Sequence, residues 1–234
     1  MGFEAVFLDA GGTLIHPDRS FILERLADCG VRLDVAGIDA AERNARDLLR
    51  SVLLSESSED DATRLRIFWD AFVRSADCPD EAVPGVVDAI MRRHRDGRLW
   101  VDVQDGTAAV LRALRKEGYT LGVVSNADGR VESFLELAGL RKYLDFVVDS
   151  AVVGVEKPDP AIFRIALQRA DVEPRLAVHV GDIYEIDVMG ARAAGVEGIL
   201  LDPAGTEDVD APTIRSLAEL PSWLADHAPA PSID

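Results

Sequence analysis

Five short apolar runs, each ending near a polar or glycine-containing turn, constrain the fold of this chain more than any other feature: Phe3 to Leu8, Thr120 to Val124, Phe146 to Val148, Ala177 to Val180 and Gly198 to Leu201. Runs this short and continuous suit strands buried on both faces of a parallel sheet. Helical patterns lie between them, over Gly106 to Lys116, Gly129 to Ala138, Pro160 to Arg169 and Ile186 to Ala194, with Gly195 as a C-terminal cap for the last. The alternation predicts a doubly wound, Rossmann-like α/β fold with a parallel sheet. In that architecture the loops at the carboxyl ends of the strands make the site.

Residues 19–99 break the alternation. The groups Phe21-Ile22-Leu23 with Leu26, Leu48-Leu49 with Val52-Leu53, Leu65 with Phe68-Trp69 and Phe72-Val73, and Val86-Val87 with Ile90-Met91 predict four helices and no strand. The expectation is an all-helical cap domain over 19–99, inserted into an α/β core domain formed by 1–18 and 100–234. The polar run Ser55 to Asp61 reads as a connection between two cap helices, with Ser58 or Asp60 as an N-cap. The Pro-rich end, Ala228 to Ser232, reads as a frayed tail.

Composition narrows the function classes. A chain of 234 residues, 48% of them hydrophobic, can bury a sizeable core. Its net charge of -17 repels phosphate backbones, so neither nucleic acid nor an anionic membrane is an expected partner. A small anionic substrate would need a local positive site. Lysine occurs only at Lys116, Lys142 and Lys157. Cys29 and Cys78 fit neither a disulfide framework nor a CxxC motif and read as ordinary buried thiols. The run Ala5 to Leu8 stops at Asp9 and no stretch reaches transmembrane length. The expected compartment is therefore the cytoplasm, and a homodimer is compatible with the sequence.

Four motifs carry chemistry, each with an ordinary structural explanation when taken alone. Asp9-Ala10-Gly11-Gly12-Thr13 follows the first strand and could be a tight turn; Ser125-Asn126 could cap a helix. Glu156-Lys157-Pro158 could carry a solvated surface lysine, and Asp182 with Asp187 could be a cap and a first-turn acid. Together, in this order and near strand ends, they resemble the four signature motifs of the haloacid dehalogenase superfamily. Gly190-Ala191 and Ala194-Gly195 make the chain look like a phosphatase-like member with a helical cap after the first motif.

That resemblance implies an Mg2+-dependent hydrolase acting on a small phosphorylated metabolite. Asp9 would be the nucleophile that forms an aspartyl-phosphate, splitting one difficult displacement into two easier steps. Asp9, the carbonyl of Gly11 and Asp182 would hold the metal, with Asp187 orienting that set by hydrogen bonding. The backbone of Ala10 and Gly11, the Ser125 hydroxyl, the Asn126 backbone and Lys157 would hold the phosphoryl oxygens, and Lys157 would also neutralise charge at Asp9.

One position departs from the pattern. Phosphatase members carry a second aspartate two residues after the nucleophile, as proton donor and later as base for water; here it is Gly11. Such acid-base help is worth roughly 100-fold to 10,000-fold, so acyl and aryl phosphates, with good leaving groups, would suffer least from its loss. His16, Asp18 and Glu185 are the nearest replacements by sequence. Three further readings follow from the gap. A 2-haloacid dehalogenase also lacks this aspartate, but the resemblance gives that branch no use for Asp182. A Schiff-base mechanism of the phosphonoacetaldehyde type needs a cap lysine, and 19–99 contains none. A weakly catalytic phosphate- and metal-binding protein is the reading from outside enzymology, and the presence of Asp9 argues against it.

Overall fold

The computed structural model describes residues 2–53 and 61–227. In chain order, β1 (Ala5–Leu8) and β2 (His16–Pro17) precede four helices, α1 (Arg19–Asp28), α2 (Val35–Leu53), α3 (Asp61–Ser75) and α4 (Val83–Arg95). The chain returns through β3 (Trp100–Asp102), α5 (Thr107–Lys116), β4 (Thr120–Ser125), α6 (Val131–Leu137), β5 (Phe146–Asp149), α7 (Ser150–Val153) and α8 (Pro160–Ala170). It ends with β6 (Ala177–Gly181), α9 (Met189–Ala193), β7 (Glu197–Leu201), β8 (Thr213–Ile214) and α10 (Leu220–Asp226). Residues 55–60 of the expected cap connection, including Ser58 and Asp60, and the tail Ala228 to Ser232 lie outside the described residues.

The chain divides into two compact units, Met1–His16 with Val103–Asp234, and Pro17–Asp102. The first is the α/β fold. Its six strands run β5-β4-β1-β6-β7-β8, every pair parallel. β1 is fully buried, as the unbroken run Ala5-Val6-Phe7-Leu8 requires, since both faces must meet apolar neighbours. On one side Phe7, Val124, Val148, Ile162, Phe163 and Leu167 form a core between sheet and helices. From β1 the chain builds outward through β4 and β5, then crosses to β6 on the other flank. The reversal opens a crevice at the carboxyl ends of the strands beside β1.

The second unit is helical. Ile22, Leu26, Trp69, Phe72, Val73 and Ile90 share a core of their own. Asp18 starts α1 by accepting the Phe21 N–H at 3.0 Å, as an N-cap should. The expectation of two buried thiols holds for Cys78 alone, because Cys29, at the end of α1, is half-buried. Burial, with the neighbouring Cys29 thiol and Glu81 adding, pushes the Cys78 thiol up from its usual range. No helix among the described residues is long and apolar enough to cross a membrane.

Several elements differ from the sequence expectation. The pattern Ile186 to Ala194 predicts one helix, whereas the chain makes a π-helical turn over Tyr184–Val188 and only then α9. In the wider turn the Asp187 side chain reaches back to the Ile183 N–H, which donates to Oδ2 at 3.0 Å. β8 and α10 were not foreseen, being too short or too mixed in pattern to stand out.

Candidate active site

Parallel register brings the motif residues to one level. Leu8 lies opposite Val123 on β4 and Val180 on β6, so Asp9, the end of β4 at Ser125, and the Gly181-Asp182 pair project from the same edge of the sheet. Asp9 is tied to β6 through its N–H, which donates to the Val180 carbonyl at 2.9 Å. The following loop closes on itself. The Leu14 and Ile15 N–H groups donate to the Ala10 carbonyl at 2.9 Å each, and the Gly12 N–H to the Ile15 carbonyl at 3.0 Å. The N–H groups of Ala10 and Gly11 stand outside those bonds, and Ser125 is buried at the end of β4.

Lys157 is the electrostatic centre. It is 3% exposed, and its ammonium donates to Asp9 Oδ1 at 2.7 Å and to Asp187 Oδ1 at 2.6 Å. Its backbone is held by the Asn126 side chain, which donates to the Lys157 carbonyl at 2.8 Å and accepts the Lys157 N–H at 2.7 Å. Sequence reasoning gave Asn126 only a backbone role at phosphate, because a pairing of two loops 31 residues apart leaves no periodic trace. The latch fixes the backbone from which the lysine side chain extends.

Asp187 receives three donors. Lys157 and His179 share its Oδ1, the latter through Nε2 at 3.1 Å, and the Ile183 N–H takes Oδ2. Asp187 and His179 are essentially inaccessible to solvent. Gly181 has no room for a side chain, since a Cβ there would stand 2.1 Å from the Asp187 Cγ. Gly12, at φ 77°, likewise leaves space that Asp182 fills, for a Cβ there would stand 2.3 Å from its Oδ2. Asp9, Asp182 and Asp187 each offer an oxygen within 4.8 Å of the others.

One ammonium between two buried carboxylates serves them unequally. Burial pushes the Asp9 carboxyl up and outweighs Lys157, with Asp187 adding to the rise. At Asp187 burial acts the same way, but Lys157 and then His179 outweigh it and hold the carboxyl below its usual range. Lys157 is pushed well above the usual amine range, because Asp187 and Asp9 overcome its burial. Burial drives His179 down, which favours the neutral imidazole. Asp187 therefore keeps its charge as a fixed counter-ion, while Asp9 is the more basic carboxylate of the two.

The other candidates are distributed differently. Asp18 lies in the helical unit, where its carboxylate accepts from Phe21 N–H, from the Ser20 hydroxyl at 2.7 Å and from Arg93. Burial works against its charge, yet these donors hold its pKa below the usual range, so it is a poor proton donor at neutral pH. His16 is half-buried on β2, and Glu185 is half-buried in the π-helical turn. His179 was missed. A lone histidine within Ala177-Val178-His179-Val180 carries no signal beyond interrupting an apolar strand.

A family model described as haloacid dehalogenase-like hydrolase matches residues 3–195. Among curated relatives, haloacid dehalogenase-like hydrolase domain-containing protein 3 of Mus musculus is 45% identical over 138 residues, 58% of this chain and 54% of that protein. In that match and its first mammalian companions the aligned chain spans about half the length of the relative. The Danio rerio protein of the same name is 31% identical over 94% of this chain and 95% of its own. Glyceraldehyde 3-phosphate phosphatase of Methanothermobacter thermautotrophicus is 30% identical over 87% of this chain and 88% of its own. Among solved structures, a HAD phosphatase from Thermococcus onnurineus superposes with a TM-score of 0.62 at 27% identity, covering 94% of this chain and 97% of that one.

Proposed function

From the membership of this chain in the haloacid dehalogenase-like hydrolase family, to which it belongs, we propose a phosphatase of small phosphorylated metabolites that works through an aspartyl-phosphate on Asp9. The observation that carries the reading is the buried Lys157 ammonium, 2.7 Å from Asp9 Oδ1, beside three converging carboxylates. The relatives named as phosphatases, among them the glyceraldehyde 3-phosphate phosphatase, point to the same substrate class.

The donor set suits Mg2+. Carboxylate oxygens are the hard ligands this ion prefers, and three aspartates against one lysine leave two negative charges for a divalent cation to balance. Gly12 is part of the fit, since only the lack of a Cβ lets Asp182 approach the nucleophile loop. Asp9, Asp182 and the Gly11 carbonyl would hold the ion, while Asp187, with both oxygens already engaged, orients Lys157. When bound, Mg2+ would draw charge from the phosphoryl oxygens and favour ionised Asp9.

The protein's own groups supply the rest. The Ala10 and Gly11 N–H groups, the Ser125 hydroxyl, the Asn126 backbone and Lys157 would hold the phosphoryl oxygens, setting donors where charge develops. An Asp9 oxygen attacks phosphorus, the bond to the leaving oxygen breaks, and the phosphoryl group rests on Asp9. Water then attacks that phosphorus, releasing phosphate and restoring the carboxylate. Gly11 offers no proton to the leaving oxygen, and Asp18 is committed to α1 and Arg93. Aryl and acyl phosphates, which leave without protonation, are therefore the better substrates.

A panel of metabolite, aryl and acyl phosphates, assayed with and without Mg2+ beside Asp9→Asn, tests the reading. Mg2+-dependent phosphate release that Asp9→Asn abolishes is the expected result; metal-independent halide release from 2-haloacids would replace it with a dehalogenase. Gly11 lies outside the left-handed region that Gly12 occupies, so its φ sets no bar to a side chain. Gly11→Asp should raise alkyl phosphate turnover by roughly 100-fold or more, and no rise would mean that another group already delivers the proton.

A further inference from the structure

His179 has no part in the chemistry above, yet its surroundings are specific. It sits on β6 between Val178 and Val180, all three without solvent exposure, and its ring meets Phe163 edge-on at 5.0 Å between centroids. An apolar side chain would fill this place at lower cost, because the buried Nδ1 has no hydrogen-bond partner. What the imidazole contributes is its other nitrogen. An ionised carboxylate only accepts, so the 3.1 Å contact with Asp187 Oδ1 requires the Nε2–H tautomer, which leaves Nδ1 as the unpaired acceptor.

We propose that His179 is a positioning residue of the Asp9 centre, acting through Asp187 to fix the direction in which Lys157 presents its ammonium. Asp187 has two anchors besides the lysine, the Ile183 N–H on Oδ2 and His179 on Oδ1, and Lys157, at the end of a long side chain, is the third partner. With the His179 donor removed, the carboxylate can pivot about the Ile183 contact and carry the ammonium away from Asp9. The backbone latch by Asn126 secures the lysine stem but not its tip. The kinetic part of the inference rests on the phosphatase reading; the placement of Lys157 does not.

The scarcity of lysine makes the placement measurable. Lys116 and Lys142 are exposed and Lys157 is buried, so protein labelled with 15N-lysine should give one slowly exchanging ammonium resonance, identified by its loss in Lys157→Met. In His179→Leu that resonance should shift and exchange faster, while His179→Gln, whose amide reaches about as far as Nε2, should keep it near its original position. With an aryl phosphate and Mg2+, kcat should fall about 10-fold to 100-fold in His179→Leu with little change in KM, and recover in part in His179→Gln. If His179→Leu does not fold, His179→Asn, whose amide stops short of Asp187, should show the same shift. An unmoved lysine resonance in the variant that lacks the donor overturns the inference. A wild type that turns over no phosphate ester overturns the phosphatase reading instead, and the resonance still decides the role of His179.

Discussion

At Gly181 a single methyl group would occupy the space of a catalytic neighbour. A Cβ there would lie 2.1 Å from the Asp187 Cγ and 2.5 Å from its Oδ2, so either the strand or the carboxylate must move. Strand β6 is buried throughout and paired on both sides, which leaves the carboxylate as the part that yields. Gly181→Ala should therefore cost about 1–3 kcal/mol in denaturant unfolding through overpacking. Its turnover should fall by 10-fold or more as Asp187 loses its grip on Lys157. Wild-type turnover in Gly181→Ala would mean that Asp187 does not orient the lysine. Asp9, Lys157, Asp182 and Asp187 were legible because each sits in a motif of fixed residue type and spacing. His179 and the Asn126 side chain were not. Their roles come from contacts across the sheet and between distant loops, which leave no pattern along the chain.

At the scale of elements, α1 depends on Asp18. Its carboxylate accepts from the Phe21 N–H, the Ser20 hydroxyl and Arg93, and the Arg93 guanidinium also lies over the Phe21 ring at 4.4 Å from its centroid. One side chain thus caps α1 and ties it to α4. Asp18→Ala should destabilise the helical unit by about 2 kcal/mol, the upper range for a lost N-cap. The effect has a definite pH sign. Burial opposes the charge, but the Phe21 N–H, Ser20 and Arg93 prevail, so the folded pKa lies below the unfolded value of about 3.9. The contribution is present in full above that value and is lost as pH falls through the folded pKa. Denaturant unfolding at pH 7 should separate wild type from Asp18→Ala clearly, and unfolding near pH 3 should bring them closer; an equal gap at both would exclude the ionised cap. The same cap shows why elements were easier to read than their joins. Apolar spacing exposed the four helices of the second unit and the main strands, whereas the π-helical turn over Tyr184–Val188 comes with a side chain bonding back to its own backbone, which periodicity does not report.

Over the whole molecule the dominant physical fact is a net charge of -17, which makes the folded chain repel itself. NaCl should raise its melting temperature by screening. Mg2+ should do more than screen, because the proposed site of Asp9, Asp182 and the Gly11 carbonyl, beside Asp187, is a geometry that the unfolded chain lacks. Ligand at about 100 times its dissociation constant stabilises by about 2.7 kcal/mol. Melting curves in MgCl2 and NaCl at matched ionic strength should therefore differ, with the magnesium sample melting higher. General attraction of Mg2+ to an acidic surface could give part of that difference, so the informative comparison is Asp182→Asn, which alters one charge in forty-two acidic residues. Its response to NaCl should match wild type, since the global field barely changes. Its additional response to Mg2+ should disappear, because one of the converging oxygens is gone. If the magnesium increment survives in Asp182→Asn, the ion stabilises the protein through its overall charge and Asp182 does not hold it.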